Sequence, residues 1–285
     1  MKLSIFAAAI LTALLSVKPC CVTAAEERPI DVIEDNSFLI EEAYNQEAGV
    51  VQHIWNAIYT KSGRTHGWNF SFTQEWPVFS LDHQFSYTIP SVHLSDNGTR
   101  VSGVGDILLN YRYQALEEGD VKPAFAPRFS LILPTGNRKT GTGNDVVAYQ
   151  WSLPFSKKVS DRIALHFNSG LTYSPHVKAP TDANGISPNK SLVAYNVGGS
   201  AIYALLPRFQ LMLEWVGNFD QDFNDDGKRE RFFRSTISPG FRTAIVNEEK
   251  LQIVAGLAAP IGLNRRTDNF GALIYFSVEH DFLSK

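Results

Sequence analysis

Long stretches of strict alternation between apolar and polar side chains constrain this chain more than any other feature. Successive side chains of a β-strand point to opposite faces, so a period of two writes one apolar and one polar face into each stretch. Trp68, Phe70 and Phe72 alternate with Asn69, Ser71 and Thr73. Phe85, Tyr87 and Ile89 alternate with Gln84, Ser86 and Thr88, and Ile107, Leu109, Tyr111 and Tyr113 with Asn110 and Arg112. The pattern continues through Phe125–Leu133, Val147–Phe155, Ile163–Tyr173, Val193–Leu205, Phe209–Trp215, Phe233–Phe241, Leu251–Ile261 and Phe270–Phe282, with Val51-His53-Trp55-Ala57-Tyr59 as its first member. That makes about twelve segments, most of them roughly 10–14 residues long.

Segment length separates two all-β architectures. Strands of soluble sandwiches run to about 5–6 residues, whereas a tilted membrane-crossing strand needs about 9–11. The connections also read as alternately short (near 77–81, 116–121, 156–161, 206–208 and 247–250) and long (60–66, 91–103, 134–144, 174–190, 220–230 and 262–269). Short periplasmic turns and longer extracellular loops give that asymmetry. Tyr and Trp gather near segment ends, where interfacial girdles sit. The expected fold is therefore all-β: a transmembrane antiparallel up-and-down β-barrel of about twelve strands over residues 48–285. It would lie in a Gram-negative outer membrane, with both chain ends on the periplasmic side. A soluble secreted β-protein is the competing all-β reading.

Composition removes other classes. Mean hydropathy is −0.13, and beyond the N-terminus no apolar run reaches the roughly 18–20 residues of a spanning helix, which excludes a helical membrane protein. With 26 basic against 29 acidic side chains the net charge is −3, which argues against nucleic acid as a partner.

Lys2, an apolar stretch over residues 3–17 and small residues ending at Ala24-Ala25 have the layout of a cleaved secretory signal over residues 1–25. A structural N-terminal helix and a lipid anchor at Cys20 or Cys21 are the alternatives; Ser16-Val17-Lys18-Pro19 is a poor lead-in for the anchor. Both cysteines would leave with the signal, so the mature chain would carry no disulfide and no thiol chemistry. Residues 26–47 form an acidic periplasmic leader, with Glu26, Glu27, Asp31, Glu34, Asp35, Glu41, Glu42 and Glu47 against Arg28. It reads either as a solvated tail with one helical turn or as a segment folding back into or under the barrel mouth, where its carboxylates would meet lumen arginines.

Four pieces carry a family resemblance: Gly103-Val104-Gly105-Asp106 leading into Asn110-Tyr111-Arg112-Tyr113; Leu131-Ile132-Leu133-Pro134-Thr135-Gly136 followed by Gly141-Thr142-Gly143; Leu153-Pro154-Phe155-Ser156-Lys157-Lys158; and Ser238-Pro239-Gly240-Phe241. In order and placement these resemble the MetA-pathway of phenol degradation family of outer-membrane transporters, over roughly residues 68–282. The resemblance implies a barrel that passes small hydrophobic or aromatic compounds.

On the polar face fall Arg112, Arg128, Arg162, Arg208, Arg234 and Arg242 with Glu75, Asp106, Glu214 and Glu279. Lining a water-filled pore, such charges set a constriction and ion preference; paired with one another, they would fill a narrow barrel as a polar plug. Asp222, Asn224, Asp226 and Gly227 occupy positions 1, 3, 5 and 6 of a calcium loop, but Phe233 stands where a bidentate Glu belongs, so a solvated acidic loop competes with a metal site. Some twelve-stranded outer-membrane barrels are phospholipases using Ser, His and Asn on the outer face. Here His83 faces the lipid side without such neighbours, His166 faces inward beside Asn168, and no Gly-x-Ser-x-Gly, Walker or His-Glu-x-x-His motif occurs. The expectation is a passive, non-enzymatic channel without a cofactor, with outer-membrane lipid and a small solute as partners. A structural or adhesive barrel with a plugged lumen is the alternative.

Overall fold

The computed structural model describes residues 30–96, 98–181, 185 and 187–282. The expected signal segment and the last three residues lie outside them. Twelve strand positions make up the wall, each flanked by its sequence neighbours. They are β1 (Val50–Ser62), β2 (Thr65–Val78), β3 (Ser80–Asp96), β4 (Thr99–Val104 and Ile107–Tyr113), β5 (Ala124–Phe125 and Arg128–Leu133) and β6 (Ala148–Ser160). After these come β7 (Ile163–Lys178), β8 (Asn189–Leu206), β9 (Phe209–Phe223), β10 (Arg229–Glu248), β11 (Leu251–Ala258 and Ile261–Gly262) and β12 (Phe270–Asp281). All pairings are antiparallel, and β1 pairs with β12 from Val50↔Asp281 to Lys61↔Phe270, which closes the barrel and leaves no edge. The three split strands break at Gly105-Asp106, Ala126-Pro127 and Ala259-Pro260; proline, which has no amide to donate, accounts for two of the breaks.

The facing follows the period-two reading. Trp55, Phe70, Trp151, Leu213 and Ile274 stand outward, each roughly two-fifths to one-half exposed. On the alternate positions Gln52, Gln84, Asn110, Ser130, Ser200 and Gln210 are buried inside. Outward aromatics also pack along and across strands, as in Trp55 against Phe72 and Phe276 at 5.2 and 5.7 Å.

Two connections expected to be long are tight hairpins. The β1–β2 ladder runs on to Ser62↔Thr65 and the β3–β4 ladder to Asp96↔Thr99, so residues 60–66 and 91–103 are mostly strand that extends past the lipid-facing band. The expected loops between β5 and β6, β7 and β8, and β11 and β12 are present, the first with a single turn of 3-10 helix, Arg138–Thr140. That between β9 and β10 shrinks to residues 224–228 because its ladder runs to Phe223↔Arg229.

Because outward rows of Phe, Leu and Trp need lipid or detergent, the folded chain should resist extraction from membranes by high salt. Unboiled, it should run differently from boiled protein on a denaturing gel. Release by salt alone would be the behaviour of a soluble β-protein.

Candidate functional site

Residues 30–47 run inside the barrel. Ile33, Phe38, Ile40 and Ala43 are buried there with Asp35, Ser37 and Glu42. The solvated-tail reading therefore does not describe this stretch, and none of it is helical. Its apolar side chains meet an apolar floor, since Ile33 and Phe38 cluster with inward-facing Ile54, Ile202, Met212, Val254, Leu273 and Tyr275. Phe38 lies 5.0 Å from the Tyr275 ring, centroid to centroid. Two wall glycines make room: a Cβ at Gly256 would collide with the Phe38 ring, and one at Gly198 would lie 2.5 Å from Ile40 Cδ1.

An extended segment outside the ladder brings unpaired N–H and C=O groups into a buried space, and each needs a partner. Wall side chains supply many of them. Glu214 Oε1 accepts from the amides of Leu39 and Ile40 at 2.9 and 3.2 Å. Arg242, fully buried, donates to the carbonyls of Ile33, Asp35 and Asn36 at 2.7–2.9 Å and to Gln210 at 2.8 Å. Arg112 donates to the carbonyls of Glu42 and Tyr44, and Gln84 accepts from the Gln46 amide. Removing one partner of a buried charge pair costs roughly 3–5 kcal/mol, so Arg242, which also lies 3.8 Å from Glu42, is the strongest single fastening.

The leader's own carboxylates fasten it as well. Asp35 accepts from Gln52, Tyr275 and Ser277 at 2.6–2.9 Å. Burial nonetheless pushes its carboxyl up to about 6, against the pull of the Arg242 guanidinium and those bonds. Glu41 goes the other way: burial raises it, but Arg128 at 2.7 Å and Arg112 at 3.6 Å outweigh that and hold the carboxyl below its ordinary value. Glu42 lies 3.6 Å from His166 Nε2 and 3.8 Å from Arg242. Ser156, His166 and Glu42 have the residue types of a hydrolase triad. Yet Ser156 Oγ, 2.8 Å from His166 Nδ1, accepts from the Ala43 amide at 2.8 Å and is buried, so this set clamps the leader.

Nine of the ten charged residues expected to line the lumen separate into three groups. Arg112, Arg128, Arg242, Glu75, Glu214 and Glu279 face inward around the leader, with Arg112 3.8 Å from Glu75. Glu279 lines a cavity of about 90 Å³ beside Glu34, Asp35 and Glu47, at the end of the barrel where β1 starts and β12 finishes. Arg234 lies toward the opposite mouth, where it pairs with Asp220 at 2.7 Å. Arg162 and Arg208 do not line the lumen. Each sits in a tight turn where the ladder ends and side chains project to solvent; Arg208 lies 3.8 Å from Glu248.

Asp106 also departs from expectation. At the break in β4 its two oxygens accept from the amides of Gly136 and Asn144 at 2.9 and 3.0 Å, while Thr135 bonds Ile107 and Gly105. The separated Gly-Val-Gly-Asp, Pro-Thr-Gly and Gly-Thr-Gly pieces thus meet in one clasp that folds the β5–β6 loop against β4. The Asp222–Asp226 stretch is a hairpin tip: Asn224 Oδ1 accepts from the Lys228 amide at 2.8 Å, and Asp222 Oδ1 from Phe223 at 2.8 Å. Local amides thus engage one Asp222 oxygen and the Asn224 side-chain oxygen. Among the described residues no three His, Cys, Asp or Glu side chains converge on a metal position.

Sequence reasoning passed over Gln52, Gln84, Gln210, Ser156 and Tyr275 as fastenings. A signal existed in the apolar residues on otherwise polar faces, at Ala164, Ile202, Met212, Ala244 and Val254. Apolar groups facing a barrel interior mark something that covers them. On the side of the leader away from the chain ends, two cavities of about 190 and 290 Å³ lie among the described residues. Asn56, Thr88 and Asn110 line the first, Gln150, Thr172 and Asn196 the second; Arg128 and Glu41 border both.

Asp106→Ala should free the β5–β6 loop while sparing the wall. Amide exchange over residues 134–147 would speed up, with β8–β10 unchanged; unaltered exchange in the loop would show that the clasp is idle.

The fold has known counterparts. The COG4313 outer membrane channel from Pseudomonas putida F1 superposes with a TM-score of 0.64 at 11% identity, covering 84% of this chain and 98% of the channel. The NanC porin (TM-score 0.49, 9% identity, 81% of this chain and 100% of the porin) and the CymD monoaromatic hydrocarbon channel (0.39, 11%, 81% and 88%) are more distant. No protein-family model matches the sequence. No curated protein matches it either. At such identity the likeness is one of fold: a closed twelve-stranded barrel of the outer-membrane channel type.

Proposed function

We propose that this chain is an outer-membrane channel for small solutes, held shut by its own N-terminal segment. The observation that carries the reading is how the segment is attached. The wall closes strand to strand from β1 to β12, while residues 30–47 are fixed by side-chain hydrogen bonds, ion pairs, apolar packing and one backbone bond from the Val32 amide to the Asp161 carbonyl in a turn, all of which can be given up without opening a ladder. Passive flow requires only that the leader yield, and no cofactor is called for.

The family resemblance favours aromatic or otherwise apolar solutes. The remaining cavities add hydroxyl and amide groups along the path, which favours small ring compounds carrying a hydroxyl or carboxylate over plain hydrocarbons. A permanently plugged, structural barrel is the second reading, favoured by the depth at which Arg242 and Glu214 are buried.

Purified protein in liposomes decides between them. Deleting residues 26–47, or seating a methyl group against Phe38 with Gly256→Ala, should raise solute flux several-fold over the intact chain. No flux in either variant, with folding verified by gel mobility, would leave the structural barrel.

The intact channel should also respond to pH. Seated in the lumen, Asp35 holds its proton more tightly than when released to solvent, since its carboxyl moves from 3.8 up to about 6. Its contribution to seating is thus complete below about 4 and lost as pH rises through about 6. Glu41, shifted downward, contributes in the opposite sense, and only toward acid. Flux at pH 7.5 should exceed that at pH 5, and Asp35→Asn should shrink the difference; an unchanged pH response in the variant would remove Asp35 from the gate.

A further inference from the structure

On the outer wall near the extracellular end, β8, β9 and β10 leave a groove of about 730 Å³ that the channel function does not use. Its base is one row of paired aromatics. Tyr195 stands opposite Phe219, and Phe219 opposite Phe233, with the last two rings 4.6 Å apart. All three face outward, and Phe219 is half exposed. Directly above, Arg231 pairs in register with Gln221 and Arg229 with Phe223, so both guanidinium groups share the outward face of β10 with Phe233. Neither arginine has a carboxylate partner among the described residues; Arg229 reaches only the Ser191 carbonyl, at 3.4 Å.

The height of this groove identifies its surroundings. Outward residues of β9 run from Phe209 through Leu211, Leu213 and Trp215 to Phe219. At about 3.3 Å per residue and a strand tilt near 40°, that run spans about 25 Å, the height of an outer-membrane apolar band. Phe219 and Phe233 therefore lie at the upper border, with Arg231 and Arg229 in the headgroup layer. Arginine presents a planar donor fork that matches phosphate oxygens, and the aromatic row beneath offers an apolar bed for acyl chains.

We propose that this face docks a phosphorylated, multiply acylated glycolipid of the lipid A class, with a phosphate against Arg229 and Arg231 and an acyl chain along Tyr195, Phe219 and Phe233. The proposal rests on the outer-membrane placement given above, because such a lipid occupies the outer leaflet of that membrane. A soluble protein partner fits poorly, since half of the groove lies within the lipid band.

The test is native mass spectrometry of the full chain in detergent with added lipid A, comparing the bis-phosphorylated form with the dephosphorylated one. The intact protein should retain the phosphorylated lipid roughly tenfold better, as loss of charge-assisted bonds predicts. Arg229→Gln with Arg231→Gln should erase that preference, while Lys61→Gln, an outward cation on β1, should keep it. Equal retention of both lipids by the intact protein would overturn the proposal whether or not the variant folds; so would an undiminished preference in a folded double variant. Fractionation keeps the two readings apart: a chain found in the outer membrane without phosphate preference defeats only the docking surface, and one found elsewhere defeats the placement.

Discussion

The structure depends on satisfying backbone polar groups where water is scarce. On the lipid side the answer is closure: β1 meets β12 in continuous register, so no strand edge faces hydrocarbon. Inside, residues 30–47 follow an irregular path, and carboxylates, guanidinium groups and amides of the wall meet their N–H and C=O groups. The same requirement is met by ladder outside and by side chains within.

The two solutions differ in how they come apart. A ladder spanning a dozen residue pairs is cooperative, and opening it would expose amides to lipid. The leader is held by discrete fastenings, several of them ionisable, and what it covers is a mixed surface of Ile, Met and Tyr with Glu and Arg. Buried charges paired in this way contribute little net stability compared with apolar packing, but several are titratable, and the proposed gate takes its response to proton concentration from them. Asp35 and Glu41 illustrate this: a few residues apart, both deep in the barrel, they are displaced in opposite directions because burial outweighs the single guanidinium near one, while the other lies between two arginines.

Asp106 shows how a charged residue with lumen parity takes on another task. Its side chain starts at a strand break, where the backbone no longer imposes in-and-out alternation, and it turns to the amides of Gly136 and Asn144. Arg162 and Arg208 depart for a related reason, because a tight turn ends the alternation just before them. Period two therefore assigned faces correctly wherever a ladder persisted and lost its authority at breaks and turns.

By itself the sequence determined the architecture, since alternation sustained over membrane-crossing lengths leaves a barrel as the way to bury one face in lipid and enclose the other. It also set the facing of Arg112, Arg128, Arg242, Glu75, Glu214 and Glu279. Only the tertiary structure decided what those charges meet. Residues 30–47 have no periodicity of their own, and their place in the lumen arises from partners over a hundred residues away, such as Glu214 for Leu39 and Arg242 for Ile33. Such pairings are properties of the closed wall, which brings distant positions to one radius and height, and no local pattern encodes them.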